Sequence, residues 1–182
     1  TYTPTTDFSG TDTFTFKAND GSNDSEIKTV TVKVIKEYLS KPKKEGVFYG
    51  EAANDYSGSS VSFNEDATIM AIGAYRNGDN GQYSGHVRVY QLLNDSWTQL
   101  GLDISGETAY DYSGRSVSLS SDGKTLAIGA TDNDGNGNAS GHVRVYNYNG
   151  TAWSQLGSDI DGETENDQSG WSVSLSSDGN TV

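Results

Sequence analysis

Polar and apolar positions alternate with a period of two along most of this chain. Near the start, Val30, Val32 and Val34 fall on one side and Thr29, Thr31 and Lys33 on the other, so residues 27–34 read as a half-buried strand. His142-Val143-Arg144-Val145-Tyr146 alternates in the same way, with both valines on one face. Four strand-like runs follow one another at residues 115–119, 125–129, 142–148 and 152–156. Between them lie Ser121-Asp122-Gly123, the polar stretch 132–141 and Asn149-Gly150. Asp-Gly and Asn-Gly flanked by β-formers are strong hairpin signals. The pattern predicts short antiparallel strands and no long helix.

The runs recur. Ser84-Gly85-His86-Val87-Arg88-Val89-Tyr90 reappears unchanged 56 residues later as Ser140-Gly141-His142-Val143-Arg144-Val145-Tyr146. Trp97-Thr98-Gln99-Leu100-Gly101 returns as Trp153-Ser154-Gln155-Leu156-Gly157, and Gly50-Glu51 as Gly106-Glu107 and Gly162-Glu163. No insertion breaks the register. Four antiparallel strands at a fixed period describe a β-propeller blade, with sheets expected over residues 59–100 and 115–156.

Within each unit, Ser57-Gly58, Ser113-Gly114 and Ser169-Gly170 stand in register, as do Gly73-Ala74-Tyr75 and Gly129-Ala130-Thr131. These landmarks resemble the Phe-Gly and Gly-Ala-Pro positions of the FG-GAP repeat of integrin-α-like propellers, with Phe and Pro both replaced. The family often carries an Asp-x-Asp-x-Asp-Gly calcium loop between the two landmarks. Here that interval holds only Asn64-Glu65-Asp66-Ala67 or Ser121-Asp122-Gly123-Lys124, so the resemblance implies no calcium there. It covers about two and a half four-stranded blades. A closed propeller needs about four, so the expected fold is all-β, a partial β-propeller after a partial β-sandwich, and the chain reads as an internal piece of a longer protein.

Before the repeats, Tyr2-x-Pro4, Phe8-x-Gly10-x-Asp12-x-Phe14-x-Phe16 and Asp20-Gly21 resemble the closing half of bacterial cadherin-like or Ig-like tandem domains. The expected division is 1–34 for that sandwich, 35–49 for a linker, and 50–182 for the repeats. Lys36, Lys41, Lys43, Lys44 and Pro42 mark the linker as a solvated spacer.

Composition narrows the function. The net charge of −13 argues against nucleic acid, whose phosphates need a basic surface. With no Cys there are no disulfides, thiolate metal sites or Cys nucleophiles. No apolar run approaches a membrane span. An acidic surface with Gly- and Asn-rich loops suits an extracellular or cell-surface setting.

Few residues point to chemistry. His86 and His142 hold the same repeat position, as do Arg88 and Arg144. An active site breaks repeat symmetry, so these four are expected to serve blade structure, the arginines lying along aromatic neighbours with their heads in water. Glu51/Asp55, Glu107/Asp111 and Glu163/Asp167 also recur, and their Asp is expected to bond its own turn. One loop breaks symmetry: Asp132, Asp134, Asn136 and Asn138 place oxygen side chains at alternate positions, a spacing suited to Ca²⁺. The sequence thus reads as a non-catalytic piece of a large secreted or cell-surface protein, binding a protein or glycan in adhesion or ligand capture. The alternative is an accessory or catalytic propeller of an extracellular polysaccharide-active enzyme.

Overall fold

The computed structural model describes residues 10–19, 21–34 and 46–182, and the chain divides into two units, Thr1–Lys43 and Lys44–Val182. In the first unit, β1 (Gly10–Phe16) and β2 (Lys28–Val34) form an antiparallel hairpin. Phe14 pairs with Val30, and Thr13 and Thr15 pair with Thr31 and Thr29. The period of two therefore sorts Phe14, Phe16, Val30 and Val32 to one face and the threonines to the other. Residues 35–45 of the expected linker lie outside the described residues.

In the second unit the 56-residue register produces two sheets of identical plan. The first contains β3 (Ser57–Phe63), β4 (Ile69–Ala74), β5 (His86–Leu93), β6 (Ser96–Gln99) and β7 (Ile104–Ser105). The second contains β8 (Ser113–Leu119), β9 (Thr125–Ala130), β10 (His142–Tyr148), β11 (Trp153–Gln155) and β12 (Ile160–Asp161). Strand order is β3-β4-β5-β6 and β8-β9-β10-β11, antiparallel throughout, with β7 and β12 also pairing β5 and β10. β6 pairs with the far end of β5 at Tyr90–Leu93, and β7 pairs with its near end at His86 and Val87. The outer edge of each sheet is thus one run broken at Gly101 or Gly157, both with positive φ. The four expected runs per unit are present. The fifth pairing had no visible period, because two residues cannot display one.

Ile69–Ala74 and Thr125–Ala130 are buried along their whole length, as suits the second strand of a sheet covered on both faces. Ile69, Ala71, Val87 and Val89 of the first sheet pack with Leu119, Leu126 and Ile128 of the second, and Leu100, Val117, Tyr146 and Trp153 close the cluster. Leu126 and Ile128 are almost wholly buried, and each such side chain contributes about 1.5–3 kcal/mol.

Within the second unit, serines stitch one blade to the next. Ser60 Oγ donates to the Gly114 carbonyl at 2.8 Å, and Leu119 N–H donates to Ser62 Oγ at 3.0 Å. Ser116 and Ser118 repeat both bonds to Gly170 (2.7 Å) and Leu175 (3.0 Å). Residues 169–182 thus lie along β8 as β8 lies along β3. They form no strand, since a counterpart of β9 to pair with them is not among the described residues. The result is all-β, with two sheets stacked as propeller blades and the opening of a third.

Candidate functional site

The loop end of the blades gathers the segment before β3, the β4–β5 loop, the start of β5 and the approach to β7. His86 begins β5, and its side chain is 4% exposed. Its Nδ1 has no hydrogen-bond partner and faces Asp79 Oδ2 at 3.7 Å, Asp103 Oδ2 at 3.8 Å and Glu51 Oε2 at 3.9 Å. Two residues along the same face, Arg88 bonds Asp103 through Nε (3.0 Å) and Nη2 (2.8 Å) and also holds Glu51. Asn77 is buried and donates to Glu51 (3.2 Å) and Asp55 (3.1 Å).

The electrostatics follow from this packing. Burial holds His86 below its ordinary 6.5, and Arg88 adds to that, while Asp103, Glu51 and Asp79 pull the other way. Hydrogen bonds to Asp103 raise Arg88. Burial raises Asp79, and the neighbouring Glu51 carboxylate raises it further.

The second blade repeats the arrangement with one gap. His142 Nδ1 is also unpartnered and lies 3.6 Å from Asp159 Oδ2, and Arg144 bonds Asp159 (2.9 and 2.7 Å) and Glu107. The counterpart of Asp79 is Gly135. Arg88 and Arg144 therefore do not lie along aromatic rings with wet heads. They are mostly buried and clasped by carboxylates, because a fork of donors beside a buried His finds better partners in Asp103 and Asp159 than in water.

Arginines do sit on rings elsewhere at this end. Tyr56, Tyr75, Tyr112, Tyr83 and Tyr110 form a row with successive ring centroids 5.4, 5.9, 5.9 and 5.8 Å apart. The Arg76 guanidinium lies 4.6 Å from the Tyr56 ring and 5.6 Å from both Tyr75 and Tyr83. Arg115 lies 4.9 Å from Tyr75 and 4.4 Å from Trp171. Tyr56, Tyr110 and Trp171 stay about half exposed (49%, 50% and 57%). A shallow cleft beside the row is lined by Glu51, Asp55, Arg76, Asp79, Gln82 and Tyr83.

The remaining expected residues are placed as follows. Asp55, Asp111 and Asp167 do bond their own turns, accepting from Ala52 (3.0 Å), Thr108 (2.8 Å) and Thr164 (2.7 Å) N–H groups. Asp66 and Asp122, in the interval of the family's calcium loop, likewise accept from Thr68 and Lys124 N–H. In the 132–138 loop, Asp134 accepts from Ala139 N–H at 2.8 Å. Asn136 donates to the Gly162 and Glu163 carbonyls, as Asn80 does to Gly106 and Glu107. Asp132 accepts from Gln168 at 3.5 Å, and Asn138 is exposed. Among the described residues, the His and carboxylate groups able to share one ion are Glu51, Asp79, His86 and Asp103, and Glu107, His142 and Asp159. Sequence reasoning missed Asp103 and Asp159, although Asp103-Ile104 and Asp159-Ile160 recur in register. It also missed Asp79, which breaks the symmetry as Asp132 does.

Residues 50–90 and 104–146 match the FG-GAP repeat, and residues 1–33 match the bacterial Ig domain. Both blades match the FG-GAP repeat over most of their strands. No curated protein matches the chain. FG-GAP repeats and bacterial Ig domains are typical of extracellular or surface proteins, and the chain combines both kinds of module. Among the described residues no helix is long and apolar enough to cross a membrane. The FG-GAP landmarks acquire a physical meaning here: the Ser-Gly step of one repeat lies against the Gly-Ala step of the repeat before it.

Proposed function

We propose that the chain binds a ligand at the cell surface, in adhesion or capture, through the loop end of its FG-GAP repeats and without catalysing a reaction. The observation that carries this reading is the row of tyrosines, exposed at its ends Tyr56 and Tyr110, with Arg76 and Arg115 seated on it. Aromatic rings and Arg are the groups that supply most binding energy at recognition surfaces. Tyr56 and Tyr112 hold left-handed backbone (φ 56° and 55°), as Gln168 does (φ 52°) at the same repeat position, so the turn itself presents the side chain that stands there. Flat rings beside a shallow cleft of carboxylates and amides suit a glycan, whose C–H faces stack while its hydroxyls bond Gln82 and Asp79.

The duplicated His–Arg–carboxylate network supports the non-catalytic part of the reading, since one reaction needs one set of groups. The test is a binding screen of the 182-residue chain against immobilised extracellular polysaccharides, with Tyr110→Ala and Trp171→Ala beside it. Binding is expected to fall about tenfold or more in either variant with the unfolding midpoint unchanged. Binding that survives both substitutions, or release of shorter saccharides from the bound polymer, refutes the reading.

A further inference from the structure

We propose that Glu51, Asp79, His86 and Asp103 form a divalent-cation site of the zinc type in the first repeat, and that the second repeat lacks its equal. The four donor atoms lie within 4.8 Å of one another and come from four separate segments. Tetrahedral zinc with ligand bonds of about 2.0–2.1 Å sets its donors about 3.3 Å apart. The 3.7–3.9 Å between His86 Nδ1 and the three carboxylates needs a contraction of only a few tenths of an ångström.

A group of carboxylates alone would prove little. The deciding observation is the imidazole: its side chain is 4% exposed, its Nδ1 is unpartnered, and that nitrogen points into the group. Ionised carboxylates only accept hydrogen bonds. At these distances even a protonated Nδ1 makes no proper hydrogen bond to them. A cation satisfies the nitrogen and all three oxygens together.

The surroundings already hold the donors in place. Arg88 grips Asp103 and Glu51, Gln99 donates to Asp103 at 2.5 Å, and Asn77 holds both Glu51 and the Asp79 N–H (2.9 Å). Outer partners of this kind orient first ligands in metal centres. Three carboxylates against one guanidinium leave two negative charges, which a divalent ion cancels. One imidazole with three carboxylates suits zinc, whereas calcium asks for six to eight oxygens. In the second repeat Gly135 replaces Asp79, so Glu107, His142 and Asp159 offer three donors and one net negative charge. Asp161, which pairs with His142 and replaces Ser105, is not in that group.

The test uses the 182-residue chain stripped with a chelator, titrated with Zn²⁺ by calorimetry while the imidazole nitrogens are followed by ¹⁵N NMR. One equivalent is expected to bind and shift His86 Nδ1, with His142 unmoved until excess metal is present. Asp79→Asn, in an exposed loop, is expected to weaken binding about tenfold or more without changing the metal-free unfolding midpoint. A His86 Nδ1 that stays unshifted at millimolar Zn²⁺, or an Asp79→Asn chain that binds like the wild type, overturns the site. His142 shifting together with His86 at the first equivalent overturns the difference between repeats, and tighter binding of Ca²⁺ than of Zn²⁺ overturns the metal class.

Discussion

Gly73 of β4 and Gly114 of β8 meet backbone to backbone across the boundary between two FG-GAP repeats, and Gly129 and Gly170 meet in the same way one repeat further on. A Cβ on Gly73 would run into the Gly114 carbonyl and Ser60 Oγ, and backbone cannot swing aside as a flexible side chain does. Gly73→Ala is therefore expected to destabilise the second unit by about 1–3 kcal/mol, the usual cost of overpacking. Gly78→Ala, whose added carbon meets nothing closer than the Gly81 carbonyl at 3.8 Å, is expected to be nearly neutral. Urea unfolding of the two variants checks the contrast.

Backbone stitching between repeats has its own anchor. Tyr110, Tyr112 and Ser113 N–H groups donate to the Gln82, Tyr83 and Ser84 carbonyls, and Asn80 pins the neighbouring strand approach at Gly106 and Glu107. Removing that amide leaves two carbonyls to find water at a partly exposed site. Asn80→Ala is expected to cost about 1 kcal/mol. Amide exchange at Tyr110 and Tyr112 is expected to quicken while the β9 core stays protected, and equal quickening in both places would show that the pin is not local.

Acid sensitivity follows from His142. Burial lowers its pKa below 6.5, with Arg144 adding to that, and Asp159, Glu107 and Asp111 opposing it from the neighbouring segments. Asp161 pairs with it from β12. The folded state therefore takes up a proton less readily than the unfolded chain, and the contribution is present above the unfolded value and lost as pH falls from there through the lower folded value. Asp159 adds a second, lower step: Arg144 depresses its pKa below 3.8, so the stabilisation from that pair is lost as pH falls further. In metal-free buffer, His142→Gln is expected to flatten the fall in unfolding midpoint between about pH 7 and pH 5 and to leave the lower step intact. An unchanged profile in that variant would place the upper step elsewhere.

The repeat register made the architecture legible. Identical heptapeptides at His86 and His142 located β5 and β10, and Asp-Gly and Asn-Gly steps located turns, because period and turn chemistry are local properties. The site was less legible because its geometry is not local. Asp103 lies 17 residues from His86 and reaches it only because the broken outer strand folds back onto β5. Arg88 reads as an alternating strand residue, and nothing in its neighbours along the chain announces the carboxylate clasp. The tyrosine row combines three parts of one repeat with the opening of the next, so no window of sequence contains it.

The loop at Asp132, Asp134, Asn136 and Asn138 carries a separate expectation of calcium. Asp134 and Asn138 are exposed and Asp132 is half-buried, accepting from Gln168, while Asn136 spends its amide donors on the Gly162 and Glu163 carbonyls. Two carboxylates with a few neutral oxygens make a weak site, of the order of 10⁻⁴–10⁻³ M, the range of extracellular calcium modules. The first repeat has Arg76 and Gly78 in place of the two acids, so its loop is expected to stay silent. Calcium should order the 132–141 loop by cancelling repulsion between Asp132 and Asp134, and Asp132→Ala/Asp134→Ala should abolish the response. Because Asn136 has its counterpart in Asn80, Asn136→Ala separates the two roles: it should loosen the repeat boundary with calcium absent, while a pure ligand role would show only when calcium is added. Loop amide signals followed through a calcium titration of the three chains decide it, and identical curves for the wild type and the double variant would remove calcium from this loop.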